Sequence, residues 1–305
     1  MPNRRAARPP RAATLAHWTS WIWSVTAVYL AVGLVTLIPS LMSGQYRGVE
    51  LLFRYPGAAL MVALSAVSAW FSLQLLGEFS PGEPLRLGWQ LIALAALCSV
   101  FSTLCVQVLS TSLVSRLFDQ RVMQEGGAGS VIQQVGVLAG GTIRFTLLTV
   151  ALWNVLRMYR RSGLLARLEA MDWVALAGIA VYVWMEVRET GLAIRAGMRP
   201  PLGMVLGWPT DPLLLGLFAE ALLLYRSARQ MRPGLIGKCW QSIAIGTFLV
   251  TLGNVLLWAA RSSYLPWPWS ALEWYVWLPA EAAFAMAPLY QLQAVYAARS
   301  SHRVP

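Results

Sequence analysis

Long apolar segments alternate with short polar loops along the whole chain. A membrane-spanning helix needs about 20 predominantly apolar residues. Most of the segments reach this length, and the shorter fifth and sixth are expected to extend into neighbouring residues. The pattern predicts an all-α fold, a single bundle of about eight transmembrane helices, with the segments at 18–38, 57–77, 89–114, 131–156, 173–187, 212–225, 240–260 and 271–296.

Basic residues are concentrated in alternate loops. When the N-terminus is placed inside, the predicted cytoplasmic segments hold clearly more Arg and Lys residues than the outer loops, as the positive-inside rule requires. The expected organisation is a basic cytoplasmic tail (1–17), a single membrane domain (18–298) and a cytoplasmic C-terminal tail (299–305). The chain is therefore expected in the inner (plasma) membrane of a bacterium, crossing it several times with both termini cytoplasmic.

A short sequence pattern occurs twice. Pro81-Gly82 followed by Trp89-Gln90-Leu91-Ile92-Ala93 recurs as Pro233-Gly234 followed by Trp240-Gln241-Ser242-Ile243-Ala244. Each copy leads from an inner loop into the next helix, the third and the seventh. The spacing of four helices indicates two four-helix pseudo-repeats in parallel orientation, an arrangement known among transporters.

The composition supports a membrane class and argues against a nucleic-acid partner. Hydrophobic residues make up 57% of the chain and charged residues 12%, with a mean hydropathy of +0.56, whereas a soluble domain carries about 25% charged residues. The net charge of +11 comes from Arg clusters between apolar segments. We therefore expect the lipid bilayer, and not nucleic acid, as the partner of these basic residues.

Several reaction classes lack the residues that they need. The two histidines, His17 and His302, lie near the termini, so membrane-embedded haem, zinc or His-dependent chemistry is not expected. Gly237-Lys238 is followed by Cys239, which breaks the phosphate-binding motif, and no Gly-x-Ser-x-Gly elbow is present. The sequence predicts no catalytic residues, no metal and no cofactor.

Three ionisable residues lie deep inside predicted helices. A charge at the bilayer centre costs about 3 kcal/mol on insertion scales, so such residues are functional candidates by default. Counting about 1.5 Å per residue from the outer end of each helix places Arg144 about 20 Å deep, Glu281 about 15 Å and Glu220 about 14 Å. All three are expected near the midplane.

Glu281 stands between Pro279 and Pro288 on the last helix. Prolines leave backbone carbonyls without intrahelical partners, so a cation or an amine could bind at this carboxylate. Alternatively, Glu281 pairs with Arg144 and locks two helices together. Glu220 would then lack a counter-charge, and we expect it to be protonated, either for proton coupling or as a silent acid.

Gly136, Gly140 and Arg144 share one face of the fourth helix. Glycines at four-residue spacing allow close helix approach, so this face is expected to pack inward with the Arg. Polar stripes on the third helix (Ser99, Thr103, Gln107, Ser110) and the seventh (Thr247, Thr251, Asn254) suit interhelical hydrogen bonds or a hydrated cavity. Trp208, Trp267 and Trp269 are expected as interfacial anchors or as the aromatic mouth of an outer ligand site.

Residues 240–289 carry a resemblance to a known class of membrane region. Trp240-Gln241-Ser242-Ile243-Ala244, then Leu252-Gly253-Asn254, Leu257-Trp258, a Pro-rich turn, Ser270-Ala271-Leu272 and Pro288 follow one another. This is similar to the helical hairpins in membrane sensor regions of bacterial signalling proteins, which precede cyclase or kinase domains. Only a short tail follows the last helix here, so the resemblance implies sensing through a partner chain.

Two function classes remain after these exclusions. The leading hypothesis is a non-enzymatic integral membrane module that binds a small-molecule ligand, or a partner membrane or signalling protein, in a sensory role. The alternative is a small-solute or proton-coupled transporter that uses Arg144, Glu220 and Glu281. An intramembrane enzyme is a third hypothesis, so enzymatic activity stays open.

Overall fold

Helices make up all of the regular structure in residues 12–43, 56–106, 128–197, 208–231, 234–261 and 272–301, which the computed structural model describes. The all-α prediction is confirmed for these residues. Seven of the helices are regular α-helices, named in chain order α1 (Ala12–Ser43), α2 (Ala58–Leu76), α3 (Pro84–Thr103), α5 (Ala170–Arg195), α6 (Thr210–Met231), α7 (Leu235–Arg261) and α8 (Leu272–Ser301).

The remaining helix, α4, is built from three consecutive pieces. An α-helical stretch (Ala128–Leu138) passes through a π-helical turn (Ala139–Ile143) into a second α-helical stretch (Arg144–Arg161). A π-turn accommodates one extra residue and is frequent at functional sites. It shifts the face that the following residues present, and Arg144 is the first of them.

Within the described residues, six helices are long and apolar enough to cross a membrane: α1, α2, α3, α4, α5 and α7. The chain is thus a multi-pass membrane protein. Helices α6 and α8 are not in this set. Between Leu278 and Leu292, α8 is almost entirely buried by neighbouring helices, so its surface faces protein and tolerates polar residues.

Contacts along the helices give their relative directions. Near the start of α1, Thr19 bonds to Gln293 near the end of α8, at 3.2 Å. Near the end of α1, Gly33 lies against Tyr275 near the start of α8. The two helices are therefore antiparallel. We call the end of the bundle where α1 begins and α8 ends the terminal end, and the opposite end the far end.

Six helices form a closed ring. Each packs on the next in the order α2, α3, α4, α6, α7, α8, and α8 packs on α2. Helix α1 lies outside the ring against α8, and α5 lies outside against α6. In this order α3 faces α7 across the ring, and α4 faces α8.

The helices extend beyond the predicted apolar segments. Helix α1 begins at Ala12 and α8 continues to Ser301, so helix reaches into both predicted tails. The sixth helix begins at Thr210, which places Asp211 inside its first turn. The fifth begins at Ala170 because Glu169 and Asp172 form a reciprocal capping box, which satisfies backbone N–H groups ahead of the apolar segment.

The capping carboxylates of α5 also hold α6. The Arg226 guanidinium donates to both oxygens of Asp172, from Nε at 3.0 Å and from Nη2 at 2.9 Å. Its Nη1 donates to Glu169 at 2.5 Å. A bidentate contact of this kind fixes the relative orientation of the two side chains and pairs their charges. It therefore sets the position of α5 on the outside of the ring.

Asp172→Asn is expected to lower the free energy of unfolding by about 1.5–3 kcal/mol, since it removes the charge from a buried bidentate contact. The matched control is Glu169→Gln. The Glu169 side chain is 64% exposed, so its loss should cost less than about 1 kcal/mol. Reversible unfolding in mixed micelles measures both, and equal losses would contradict a special role for Asp172.

Candidate functional site

Arg144 lies in the interior of the ring and is only 7% exposed. The π-turn ends at Ile143 and the regular helix resumes with Arg144. Beyond this turn the Arg144 side chain faces the bundle interior. A guanidinium in this position requires a buried counter-charge.

Three glycines of α4 let its neighbours approach. A Cβ on Gly136 would lie 2.7 Å from the Cβ of Cys105, and one on Gly140 would lie 2.6 Å from the Cβ of Ser102. A Cβ on Gly141 would lie 2.6 Å from Thr210 Oγ1 of α6. The glycines therefore seat α4 tightly between two ring neighbours and so place Arg144.

Glu281 of α8 is the counter-charge. Arg144 Nη1 donates to Glu281 Oε1 at 2.5 Å, so the predicted contact between the two residues is present. Glu281 is 3% exposed. Because α4 and α8 face each other in the ring, this central ion pair crosses the middle of the bundle.

Two serines complete the surroundings of the carboxylate. Ser65 Oγ of α2 lies 3.0 Å from Glu281 Oε2, and Ser99 Oγ of α3 lies 3.4 Å from Oε1. The two hydroxyls are 3.1 Å apart, so Ser99 can donate to Ser65 while Ser65 donates to Glu281. Four ring helices therefore meet at one carboxylate.

Aromatic rings flank the guanidinium. The Cζ atom of Arg144 lies 5.2 Å from the ring centroid of Phe145 and 5.0 Å from that of Phe284. Both distances suit a cation–π attraction, which is strongest where water is excluded. The rings shield the ion pair and hold the guanidinium in place.

Pro288 creates a further polar contact. Because proline has no N–H, the carbonyl four residues earlier, that of Phe284, loses its helical partner. Ser68 Oγ of α2 donates to this carbonyl at 3.4 Å. The freed carbonyl expected from the sequence is thus held by a neighbouring helix, one turn from Glu281.

The repeated sequence pattern brings two tryptophans together. Trp89 of α3 and Trp240 of α7 stack with ring centroids 6.3 Å apart and planes at 23°. Both are 1% exposed. Trp89 precedes Ser99 by ten residues on α3. The tryptophan stack is therefore about 15 Å nearer the terminal end than Ser99 is.

A central cavity of about 20 Å³ lies between the ion pair and the tryptophan stack. It is lined by Ser68, Ile92, Ala95, Ala96, Arg144, Leu148, Ile243, Glu281, Phe284 and Ala287. By this measure one water molecule needs at least about 10–15 Å³. The cavity admits water but no organic solute in this conformation.

Comparison of the chain with protein-family models, curated proteins and solved structures returns no match. Function is therefore inferred from the geometry of the ring centre.

Glu220 lies apart from the ion pair. Gly141 of α4 meets Thr210 of α6, so Arg144 is level with the first turn of α6, and Glu220 lies about 10 Å closer to the terminal end. Its Oε2 is buried without a hydrogen-bond partner, and it makes no ion pair within the described residues. The structure does not bring Glu220 to the site of Arg144 and Glu281.

The predicted outer mouth lies mostly outside the described residues, since Trp267 and Trp269 both do. Trp208 is half-buried just before α6. Gln107 and Ser110 of the third-helix stripe also lie outside. No group of three or more His, Cys, Asp or Glu side chains within the described ranges is placed to bind a metal.

A second polar cluster at the far end was not predicted as a unit. Asn254 Nδ2 donates to Asp211 Oδ1 at 3.1 Å, and Trp258 Nε1 donates to Glu189 Oε2 at 2.9 Å. The Tyr182 ring meets Trp258 edge-on at 6.1 Å. These contacts join α5, α6 and α7, and the sequence signal was the placement of Asn254 on a polar stripe.

Proposed function

We propose that this chain is a non-enzymatic, eight-span membrane module that binds a small charged ligand at the central ion pair. Membership of the ring supports counting α6 and α8 as spans, since both pack along neighbours that have the length and composition of spans. Helix α8 also has 30 residues, against the about 20 residues that cross a bilayer, and it is almost entirely buried between Leu278 and Leu292.

The neighbour relations of the six ring helices support two equivalent halves, although the outer helices differ, since α1 packs on α8 and α5 packs on α6. If α1–α4 correspond to α5–α8, the pairing of α2 with α3 matches that of α6 with α7. The pairing of α3 with α4 matches that of α7 with α8, and α4 with α6 matches α8 with α2. The tryptophan stack joins equivalent residues of the two sequence copies. Ligand sites of repeat-built membrane proteins commonly lie between the halves.

The observation that carries the proposal is the buried ion pair across the ring, with a cavity beside it. A ligand with a carboxylate and an ammonium group can replace the ion pair by two new ion pairs. Its carboxylate would bind Arg144 and its ammonium group would bind Glu281. Binding would then separate α4 from α8. Because one of these helices belongs to each half, the ligand would change how the halves are held, which suits a sensory role with a partner chain.

A panel of small zwitterions is expected to contain a stabilising ligand. At 100 times its dissociation constant, one ligand stabilises the fold by about 2.7 kcal/mol. Thermal melting of the purified chain measures this, and Arg144→Gln should abolish the shift while Arg299→Gln should keep it. If anions and cations given separately stabilise as well as zwitterions do, the two-charge site is wrong.

Proton-coupled or small-solute transport is the second candidate. The specific observation favouring it is that the buried Glu281 carboxylate lies beside a cavity lined by residues of five ring helices. In proteoliposomes, Glu281→Gln should then abolish solute flux at a temperature where the variant is still folded, which a cooperative melt at a higher temperature establishes. Flux that persists in this variant would exclude Glu281 as the coupling residue.

We also propose the inner membrane and cytoplasmic termini. The terminal end carries more basic residues than the far end in the described ranges: Arg86, Arg157, Arg160, Arg161, Arg167, Arg226, Arg229, Lys238 and Arg299, against Arg188, Arg195 and Arg261 at the far end. Such a bias places the terminal end on the cytoplasmic side.

A further inference from the structure

Several buried polar atoms lack partners on the terminal side of the ion pair. Among them, Ser72 Oγ, Gln291 Oε1 and the indole nitrogen of Trp89 are buried without a hydrogen-bond partner in the described chain. Ser72 is 0% and Gln291 6% exposed. Buried polar groups are normally satisfied by protein or by ordered water, so this concentration points to water.

Helix register puts two of these atoms in line with the central cavity. Ser68 and Ala287 line the cavity. Ser72 and Gln291 follow them by four residues, so they lie on the same helix faces one turn nearer the terminal end. We call Ser65, Ser68, Ser72 and Gln291 the polar column. It begins at Glu281 and continues past the cavity.

The far side of the ion pair is different. Thr103 of α3 donates to the Ser99 carbonyl at 2.9 Å, and Thr251 of α7 donates to the Thr247 carbonyl at 3.0 Å. Both hydroxyls are buried and satisfied by their own helices. Their protons are used within the helix, whereas on the terminal side Ser72 Oγ and Trp89 Nε1 keep a proton to donate and Gln291 Oε1 keeps its acceptor capacity.

Polar groups also mark the outlet of the column. Beyond Gln291 on α8, the Tyr296 hydroxyl lies 3.3 Å from Glu78 Oε1 in the turn that follows α2, and Arg299 pairs with Glu78. This cluster reaches the solvent, since the Arg299 side chain is 54% exposed.

We propose that the polar column is a one-sided water route. Ordered water fills the central cavity, satisfies the orphaned atoms, and connects the Glu281 carboxylate to the terminal end, while packing closes the far side. A bound water needs two to four polar partners, which Ser68, Arg144 and Glu281 supply in the cavity. This route does not depend on the identity of a ligand.

Hydroxyl-radical labelling by water radiolysis tests the route in the full-length chain in nanodiscs. Radicals form from internal water and oxidise the side chains beside it. Relative to controls, we expect at least about threefold more oxidation at cavity residues if the site is hydrated. The cavity residues measured by mass spectrometry are Ile92, Leu148 and Phe284.

The matched controls are residues of the same types that are equally buried but do not line the cavity: Ile22, Leu217 and Phe71. Ala96→Val fills the cavity, and labelling of Phe284 should fall to the control level. Ala69→Val, on a buried position outside the cavity, should leave it high. Equal labelling of cavity and control residues in the unmodified chain would overturn the proposal.

Silver ions test the sidedness. In a chain whose native Cys98, Cys105 and Cys239 are replaced by alanine, Ser72→Cys should react with Ag⁺ added from the terminal side of oriented vesicles. Thr251→Cys is the far-side control and should react from neither side within the same time. Reaction of Thr251→Cys at the rate of Ser72→Cys, or entry to Ser72→Cys from the far side, would overturn one-sided access.

Discussion

Glu281→Gln is expected to lower the free energy of unfolding by about 3–5 kcal/mol, because it leaves a buried guanidinium without its counter-charge. The amide keeps the shape of the carboxyl, so the loss reports charge and not a cavity. Arg144→Gln should cost a similar amount for the reciprocal reason. Unfolding in mixed micelles or by steric trapping in bicelles measures both variants.

Arg299→Gln supplies the control for this prediction. It also breaks an ion pair between two helices, that with Glu78, but the Arg side chain is largely exposed. An exposed pair is worth about 0–1 kcal/mol. If Glu281→Gln costs no more than Arg299→Gln, the central ion pair is solvated and the enclosed site is wrong.

Gly140→Ala is expected to cost about 1–3 kcal/mol, as overpacking of a close helix contact does. The new methyl group would lie 2.1 Å from Ser102 Oγ and 2.6 Å from Ser102 Cβ, so α3 and α4 must move apart. That movement would also displace Arg144 from Glu281.

Two variants make the Gly140 prediction specific. Gly216→Ala, on α6, meets nothing within 4 Å and should stabilise the helix by up to about 1 kcal/mol through higher helix propensity. Adding Ser102→Gly to Gly140→Ala removes the clash and should restore part of the loss. A Gly140→Ala protein as stable as Gly216→Ala would contradict the close packing of α3 on α4.

Much of the fold follows from hydropathy and charge, because both are imposed by the bilayer. The eight apolar segments correspond to the eight helices, six of which have the length and composition of spans. Helix α8 is nearly buried between Leu278 and Leu292, so it can carry polar residues such as Glu281, and this burial depends on tertiary packing that the sequence of the helix does not show.

The site was predictable only in part. Counting residues from the outer end of each predicted helix placed Arg144 and Glu281 near the midplane. The spacing of Gly136 and Gly140 indicated which face of the fourth helix packs inward. Depth counting failed for Glu220, because it assumed that the outer ends of all helices are level. The contact of Gly141 with Thr210 shows that α6 begins deep beside α4.

Other parts of the site carry no local signal. Ser65 is one serine among several on α2, and only the packing of α8 selects it as a partner of Glu281. The π-turn depends on the fit of α4 between α3 and α6. The sequence repeat identified Trp89 and Trp240 as equivalent, but their stacking depends on the ring closing.

The double-mutant cycle of Arg144→Met and Glu281→Leu tests the central ion pair most directly. The double variant leaves Ser65 and Ser99 bonded to each other and no charge in the core, so apolar packing can replace the pair at little cost. We predict that the two single losses exceed the loss in the double variant by at least about 2 kcal/mol, within the range of contacting residues. Losses that add to within about 0.5 kcal/mol would show that the two residues do not interact, and the proposed site at the ring centre would be wrong.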